Sequence, residues 1–396
     1  MRGRTWLDSL QRLGIALGLP RTRAILRELG RPEKAYASVI VAGTNGKGST
    51  AAMLASILES SGYRTGLYTS PPLVDPRERW VIAGTFIDAP LLDASIDDLR
   101  LAAARARITP TFFEALTLIA FIAFRRAHCD VVVLEVGMGG RLDATNVVKP
   151  IAALITPIGF DHMEYLGTTL RQIAGEKAGV IHRGAIVLTS NTDAAIVDVI
   201  RRRAAKFDSE LIVVDDEHDT PLAGAFQRRN AALAVRAAEA LRPRLPRITP
   251  EAIERGVRET RWRGRLEKLR VGGKDVWIDG GHNAHAIREV APFIERELPR
   301  PRVLVFGIMK DKDVADVVRM LFPLFDRVIA TEPYPPRSVE AASLAGEAVP
   351  DPKEAIERAL RSDARSVFIG GSLYLAGAAI EYFESQPQRA GQQQKR

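Results

Sequence analysis

Residues Gly43-Thr44-Asn45-Gly46-Lys47-Gly48-Ser49-Thr50 combine a glycine turn, a lysine and hydroxyl side chains. A turn of this kind between a strand and a helix aims backbone N–H groups and a helix N-terminus at one point, where Lys47 adds a full positive charge. A nucleotide phosphate needs that combination. The spacing departs from the common phosphate-loop pattern, because only two residues separate Gly43 from Gly46 and Gly48 intervenes before Ser49. A tight turn capped by chance hydroxyls is the competing reading, and the strand–helix context disfavours it. The apolar run Val131-Val132-Val133-Leu134 ends in Glu135 and is followed by Gly137-Met138-Gly139-Gly140. A carboxylate at such a strand end is poorly solvated unless a cation accompanies it, and Mg²⁺ is the natural cation beside a nucleotide. A structural salt bridge to Arg141 is the alternative.

His162 lies just beyond a second strand-like run, in Gly159-Phe160-Asp161-His162. A single histidine is usually structural; its placement beside Glu135 and the glycine loop favours a ligand. Lys177 falls at the end of a helical stretch, Gln172 to Gly179, where local periodicity leaves a solvated lysine open. Asp279-Gly280-Gly281-His282-Asn283 follows another strand, so Asp279 and His282 are expected to point from a strand end towards a cleft. Trp262-Arg263-Gly264-Arg265 stands before it at an expected hinge, and two arginines there can clamp a phosphate as a lid closes. A polar turn is the plainer reading.

These groups need a scaffold that collects strand ends. Strand-like runs at Val39–Val41 (with Ser38), Val131–Val136, Ala152–Thr156, Ala185–Thr189 and Leu211–Val214 alternate with helical stretches such as Ala51–Leu58, Phe113–Arg126 and Ala194–Ala205. The alternation predicts a mostly parallel sheet covered by helices, an α/β class. In doubly wound sheets, ligands sit beyond the carboxyl ends of the strands. A second series, Val276–Asp279, Val303–Phe306, Val328–Thr331 and Val367–Ile369, predicts a smaller Rossmann-like α/β domain. The Pro- and Arg-rich segment Arg242–Pro250 reads as a loop before one more helix. The expected organisation is a nucleotide-binding domain over 1–263, a second domain over 264–385, and a polar, disordered tail over 386–396. The stretch Leu13–Leu19, followed at once by Arg21 and Arg23, reads as an amphipathic helix rather than a signal peptide.

A chain of 396 residues, 46% hydrophobic and 26% charged, fits a globular protein of two domains. Its one cysteine, Cys129, excludes an internal disulfide and suits a reducing cytoplasm. No long uncharged apolar run predicts a membrane span. The net charge of +8 raises nucleic acid as a partner. However, the densest run, Arg201-Arg202-Arg203, sits on a probable-helix pattern without interleaved aromatics and reads as a solvated face. No nucleic acid and no membrane are expected; anionic small-molecule substrates explain the surplus.

Taken together, the motifs resemble the folylpolyglutamate synthase and dihydrofolate synthase family of the ATP-dependent Mur ligase superfamily. The landmarks run in order from Gly43 to Gly377. They are the loop Gly43–Ser49, Thr69-Ser70-Pro71, Glu78-Arg79, Phe113-Glu114, the long stretch Glu135 to Asn146, Asp161-His162, and Glu176-Lys177-Ala178-Gly179. Gln227 with Asn230-Ala231, Trp262 with Gly264-Arg265, Asp279 with His282-Asn283, Asp311-Lys312-Asp313 and Gly371-Ser372-Leu373-Tyr374 complete the series.

The resemblance implies a ligase that phosphorylates a carboxylate of a pteroate or folate with ATP and then joins it to the amino group of L-glutamate. It implies Mg²⁺ at Ser70, Glu135 and His162, and a carbamylated Lys177 helping to hold a second Mg²⁺, with a monovalent cation as a further candidate. Nucleotide contacts are implied at Thr44, Asn45, Gly46, Lys47, Gly48, Ser49, Asn230, Arg265 and Asp279. Catalytic roles are implied for Lys47, His162, Lys177, Arg265 and His282, and pterin binding at Phe113 and Glu114, with Leu17–Pro20 nearby. Partners are then small molecules only, for a cytoplasmic monomer. Two departures stand out: Pro72 where the family often has His, and Gly281 and Ala284 where it commonly has Ala and Pro. The first touches a loop near the pterin site; the second keeps His282 and Asn283. Two competing functions are a related amide ligase acting on another acid and a non-catalytic nucleotide-binding regulator.

Overall fold

The computed structural model describes residues 2–12, 14 and 16–386. The tail expected over 386–396 therefore lies, from residue 387 on, outside the described residues. The chain divides into two compact units. The first comprises residues 1–72, 77–221 and 229–260; the second comprises 73–76, 222–228 and 261–396.

The first unit is built on an eight-stranded sheet. Its strands are β1 (Ala37–Ala42), β2 (Thr65–Tyr68), β3 (Trp80–Ile82), β4 (Thr85–Phe86), β5 (Val131–Glu135), β6 (Ala152–Ile155), β7 (Ile186–Thr189) and β8 (Leu211–Val213). The spatial order is β4-β3-β2-β5-β1-β6-β7-β8. All pairs from β2 to β8 are parallel, and β3 and β4 add an antiparallel edge. The central strands β1, β5 and β6 are apolar along their length and almost fully buried. That is the pattern of parallel strands covered on both faces. The helix Phe112–Arg126 is apolar nearly all round, and eleven of its residues, from Glu114 to Phe124, are buried. Truncating Phe121 to Ala in that position costs about 3–5 kcal/mol by cavity formation. The helix Lys47–Ser60 approaches Pro250–Glu259 closely: a Cβ on Gly256 would stand 2.4 Å from the Ile57 Cα. Ser56 Oγ donates to the Gly256 carbonyl at 2.7 Å.

The second unit holds a six-stranded sheet. Its strands are β9 (Glu267–Val271), β10 (Lys274–Ile278), β11 (Arg302–Phe306), β12 (Arg327–Ala330), β13 (Glu347–Ala348) and β14 (Ser366–Gly370), ordered β13-β12-β11-β14-β10-β9. Only β9 is antiparallel to its neighbour. Strands expected from the sequence recur within a residue or two of their bounds. The sequence reading lacked β2, β3, β4, β9 and β13. The expected helix over Leu13–Leu19 is a correction: a helix spans Arg2–Ser9, a 3-10 turn spans Leu10–Arg12, and the next helix starts only at Pro20. Residues 16–19 between them are not helical. Gly18 (φ 144°) and Pro20 explain this, since the glycine takes a left-handed-side conformation and proline opens a helix rather than continuing one.

Candidate active site

β1 ends at Ala42 and the helix begins at Lys47, with Gly46 as its N-cap in a left-handed conformation (φ 85°). The N–H groups of Lys47, Gly48 and Ser49 occupy the first turn, where a helix supplies no acceptor; Thr50 N–H is the first to bond back, to Gly46 O at 2.9 Å. Neighbours hold the loop from two sides. A Cβ on Gly43 would meet Thr156 Oγ1 at 1.8 Å, and one on Gly46 would meet Asn230 Oδ1 at 2.4 Å. Asn230 is thus seated directly on the loop. Thr44 N–H donates to Pro157 O at 3.0 Å and its hydroxyl to Gly159 O at 3.0 Å, tying the loop to the segment after β6. Asn45 N–H donates to Pro157 O at 3.4 Å.

Two lysines turn onto this loop. Lys47 Nζ donates to Thr44 O at 3.0 Å. Lys177, in the last turn of the helix Leu170–Ala178, donates from Nζ to Gly43 O at 2.7 Å. Lys177 is 3% exposed, so the solvated alternative falls. That carbonyl is its sole side-chain partner among the described residues, although an ammonium carries three donors. Burial drives its pKa down to about 7, and the charge of Lys47 adds to the effect; Asp161 and Asp143 oppose it. The neutral amine is therefore well populated near pH 7.

Glu135 closes β5 beside β1, paired in register with Val41, and is 6% exposed. Its Oε2 accepts the Ser70 N–H at 3.0 Å, which brings Ser70 and Glu135 together. Arg141, the alternative partner, instead pairs with Glu176 at 2.8 Å. His162 follows β6, on the other side of β1, with φ 49°. Its Nε2 lies 3.8 Å from Asp161 Oδ2. A hydroxyl, a carboxylate and an imidazole at adjoining strand ends, next to anion-binding N–H groups, form a donor set suited to Mg²⁺. That ion takes few protein ligands and completes its shell with water and phosphate. No group of three or more His, Cys, Asp or Glu side chains among the described residues forms a closed metal cage.

The Gly137–Asn146 loop is organised by residues to which the sequence reading gave no role. Asp143 is buried and accepts from Gly137 N–H and Met138 N–H, both at 3.1 Å, and from Thr145 N–H and hydroxyl at 2.9 and 2.6 Å. Burial raises its pKa and these four donors counter it. Asn146 Nδ2 donates to Arg141 O at 3.0 Å and Gly179 O at 3.1 Å, and its Oδ1 pairs with His182 Nε2 at 2.8 Å. With the amide so oriented, His182 must carry its proton on Nε2. This bracket staples the loop to the segment that follows Lys177. The buried amide and its invariant geometry had one signal in sequence: an Asn closing a glycine-rich stretch, a residue type that bonds local backbone.

Phe113 packs its ring over Gly137, where a Cβ would come within 2.3 Å of the ring. Glu114 has structural duties: it completes a capping box with Thr111 and pairs with Arg21 at 3.1 Å.

The second unit carries its own set. Asp279 follows β10 and is buried; its carboxylate accepts from Gly281 N–H at 2.7 Å and Leu266 N–H at 2.9 Å. Burial raises its pKa, and Arg265 is the largest opposing influence. Arg265 Nη1 donates to Gly264 O at 3.0 Å. His282 Nδ1 contacts Gly280 O at 2.8 Å, and Asn283 caps the helix Ala284–Glu297. A Cβ at Gly281 would stand 2.8 Å from Asp279 Oδ1, which explains the glycine there. Arg263 is paired with Glu267 and Glu384, so of the two arginines expected to clamp a phosphate it is already engaged.

The sequence matches two family models: Mur ligase middle domain over residues 41–237 and Mur ligase, glutamate ligase domain over 264–377. The dihydrofolate synthase/folylpolyglutamate synthase of Bacillus subtilis is 35% identical over 351 residues, covering 80% of this chain and 81% of that one. The folylpolyglutamate synthase of Lacticaseibacillus casei is 33% identical over 413 residues, covering 94% and 96%. Among solved structures, Escherichia coli FolC in complex with DHPP and ADP superposes with a TM-score of 0.89 at 30% identity, covering 97% and 98% of the two chains. The Mycobacterium tuberculosis folylpolyglutamate synthase complexed with ADP and AMPPCP gives 0.87 at 30% identity, covering 96% and 99%. No helix of the described residues is long and apolar enough to cross a membrane. The ordered motifs, the glycine loop gripped by two lysines and these likenesses agree: the chain belongs to the folylpolyglutamate synthase/dihydrofolate synthase family of Mur ligases.

Proposed function

We propose that this protein is an ATP-dependent ligase that joins L-glutamate to a carboxylate of dihydropteroate or a folate through an acyl phosphate. The observation that carries the reading is the loop itself, with open first-turn N–H groups and both Lys47 and Lys177 laid against its carbonyls. In the first step a carboxylate oxygen of the acceptor bonds to the γ-phosphorus of ATP while the bond to the β,γ-bridging oxygen breaks and ADP leaves. In the second, the glutamate nitrogen attacks the acyl carbon, phosphate departs with the bonding pair, and the amine loses a proton. Both reactants of the first step are anions, so catalysis is chiefly charge neutralisation and alignment.

The residues divide that work. Thr44, Asn45, Gly46, Gly48 and Ser49 cradle the phosphates, and Lys47 leaves Thr44 O to follow the charge on the transferring group. Asn230 lies against the nucleotide side of the loop. Ser70, Glu135 and His162 hold Mg²⁺, which when bound supplies charge compensation on the phosphates. Lys177 takes up CO₂ as the neutral amine, forming an N–C bond and releasing a proton. The resulting carbamate is an anion that supports a second Mg²⁺, with a monovalent cation as a further ligand of the site. Burial with a single acceptor supports this conversion. Phe113 supplies an aromatic face for the pterin, with Glu114 beside it. From the second unit, Arg265 and Asp279 are assigned to the nucleotide and His282 to the reacting groups. The enzyme works as a cytoplasmic monomer, its domains meeting near residues 263–264.

Steady-state assay of ADP release with ATP, Mg²⁺ and L-glutamate, run side by side with dihydropteroate and a reduced folate monoglutamate, tests the reading. Glutamate-dependent turnover with at least one acceptor is expected. None with any pteroate or folate would reject it.

A further inference from the structure

The Arg201-Arg202-Arg203 run, read from sequence as a solvated face, belongs to a larger assembly in the first unit. The helix Pro20–Glu28 carries Arg23 and packs on the turn Ala144–Val147, and Lys149 follows that turn by two residues. The helix Leu170–Ala178 packs against the helix Ala194–Lys206, which carries Arg203. Ser209 joins the parts: its N–H donates to Ala204 O at 3.1 Å and its hydroxyl to His182 O at 3.0 Å. His182 in turn bonds Asn146 at 2.8 Å. Arg23, Lys149 and Arg203 therefore surround His182 from three different elements. All three cations depress the His182 pKa, after burial, which is the largest cause.

This charge is not balanced locally. Glu176 is taken by Arg141 at 2.8 Å, Asp198 by Arg202 at 2.9 Å, and Asp208 by Arg183. Arg23 and Lys149 are exposed and make no side-chain hydrogen bond or ion pair among the described residues. Arg203 stacks over Phe207 at 4.3 Å, and its Nε is buried with no acceptor. A buried guanidinium N–H without a partner is a feature that native structures rarely keep without a reason.

We propose that this flank, through Arg23, Lys149 and Arg203, binds the γ-linked glutamyl tail of an elongated folate. The inference rests on the ligase reading above. Each glutamate added leaves one free α-carboxylate, and successive carboxylates stand roughly 6 Å apart in an extended γ-linked chain by standard bond lengths. His182 is five residues beyond Lys177, so chain reach puts it at most about 18 Å away. A tail of about three glutamyl units covers that span, whereas a monoglutamate does not. The flank thus discriminates acceptors by tail length, through charge and not through the pterin.

The test uses the full-length enzyme and the double variant Arg23→Glu/Lys149→Glu, both exposed positions outside the residues assigned to chemistry. Acceptors are a reduced folate monoglutamate and the corresponding pentaglutamate. Binding of the pentaglutamate is also read by equilibrium dialysis at low and high salt. The double variant is expected to weaken pentaglutamate binding and raise its KM about fivefold, with the difference shrinking in high salt, as for two exposed ion pairs. The monoglutamate kcat and KM stay unchanged. Equal losses for both acceptors, or an unchanged pentaglutamate KM, would overturn the track. So would competition by a short RNA as effective as that by free penta-γ-glutamate, which would mark a non-specific polyanion surface. A wild-type enzyme inactive on every acceptor would instead sink the ligase reading, and dialysis would still report on the flank.

Discussion

Replacing Lys177 by Met should expose how the buried amine titrates. Burial lowers its pKa from 10.5 to about 7. Between those values the unfolded chain binds one proton that the folded chain does not. Stability therefore rises with pH across that window: the contribution is fully present above 10.5 and is lost as the pH falls through about 7. The slope is about 1.4 kcal/mol per pH unit for a one-proton difference. Methionine fills nearly the same volume and carries no proton, so Lys177→Met lacks this term. It forgoes the hydrogen bond to Gly43 O, worth about 1 kcal/mol, equally at every pH in the window. From pH 7.5 to 9.5 the wild type should gain about 2.7 kcal/mol on the variant. Urea titrations in buffers purged of CO₂, followed by hydrogen exchange of β1 and β5 peptides, measure this in the first unit alone. A stability difference that stays flat over that range would show that the amine is not desolvated in the folded state. Adding bicarbonate should flatten the wild-type slope, because a carbamate replaces the titrating amine.

Other substitutions separate chemistry from scaffold. Lys47→Ala should abolish ADP release while changing the unfolding free energy by no more than about 1 kcal/mol, since one hydrogen bond to Thr44 O is lost; parallel assay and denaturation check both. Lys177→Ala should be inactive and partly regain turnover with added short carboxylic acids, read by steady-state kinetics. Arg265→Ala should lower kcat with little change in the KM for ATP, because its contact strengthens as charge develops; an altered KM with unchanged kcat would contradict that role. Asn146→Ala strips donors from two carbonyls and the acceptor from His182, and should cost about 2–3 kcal/mol in urea denaturation. His182→Gln, which can still donate to Asn146, should cost less than His182→Leu.

Much of the scaffold was legible because parallel strands buried on both faces leave long apolar runs. Val131–Leu134 and Ala152–Ile155 announce themselves by composition alone. β2 did not, because Thr65-Gly66-Leu67-Tyr68 is short and contains a glycine that is required by contact, not by turning: a Cβ there would meet the Phe124 ring at 2.7 Å. The missed helix break at Gly18 followed from letting apolar spacing outweigh a glycine and a following proline. At the site, Gly43–Ser49 and Glu135 could be read because strand-to-helix loops carry their chemistry in consecutive residues. The burial of Lys177 could not, since its partner Gly43 O lies 134 positions away and is a backbone atom. The same holds for Asn146 and His182, joined across 36 positions by an amide that sequence alone does not orient.

Both sheets end in strands that offer little to a neighbouring molecule. The first is bordered by β4, two residues long, and β8, three residues long; the second by the two-residue β13 and by β9. β9 is the longer edge, and its exposed positions are Lys268 and Arg270. Short or positively charged borders discourage strand-by-strand addition of another chain. An enzyme with fourteen strands should consequently tolerate high concentration and partial opening without seeding fibrils, and charge-neutral replacements at Lys268 and Arg270 are where that tolerance should first fail.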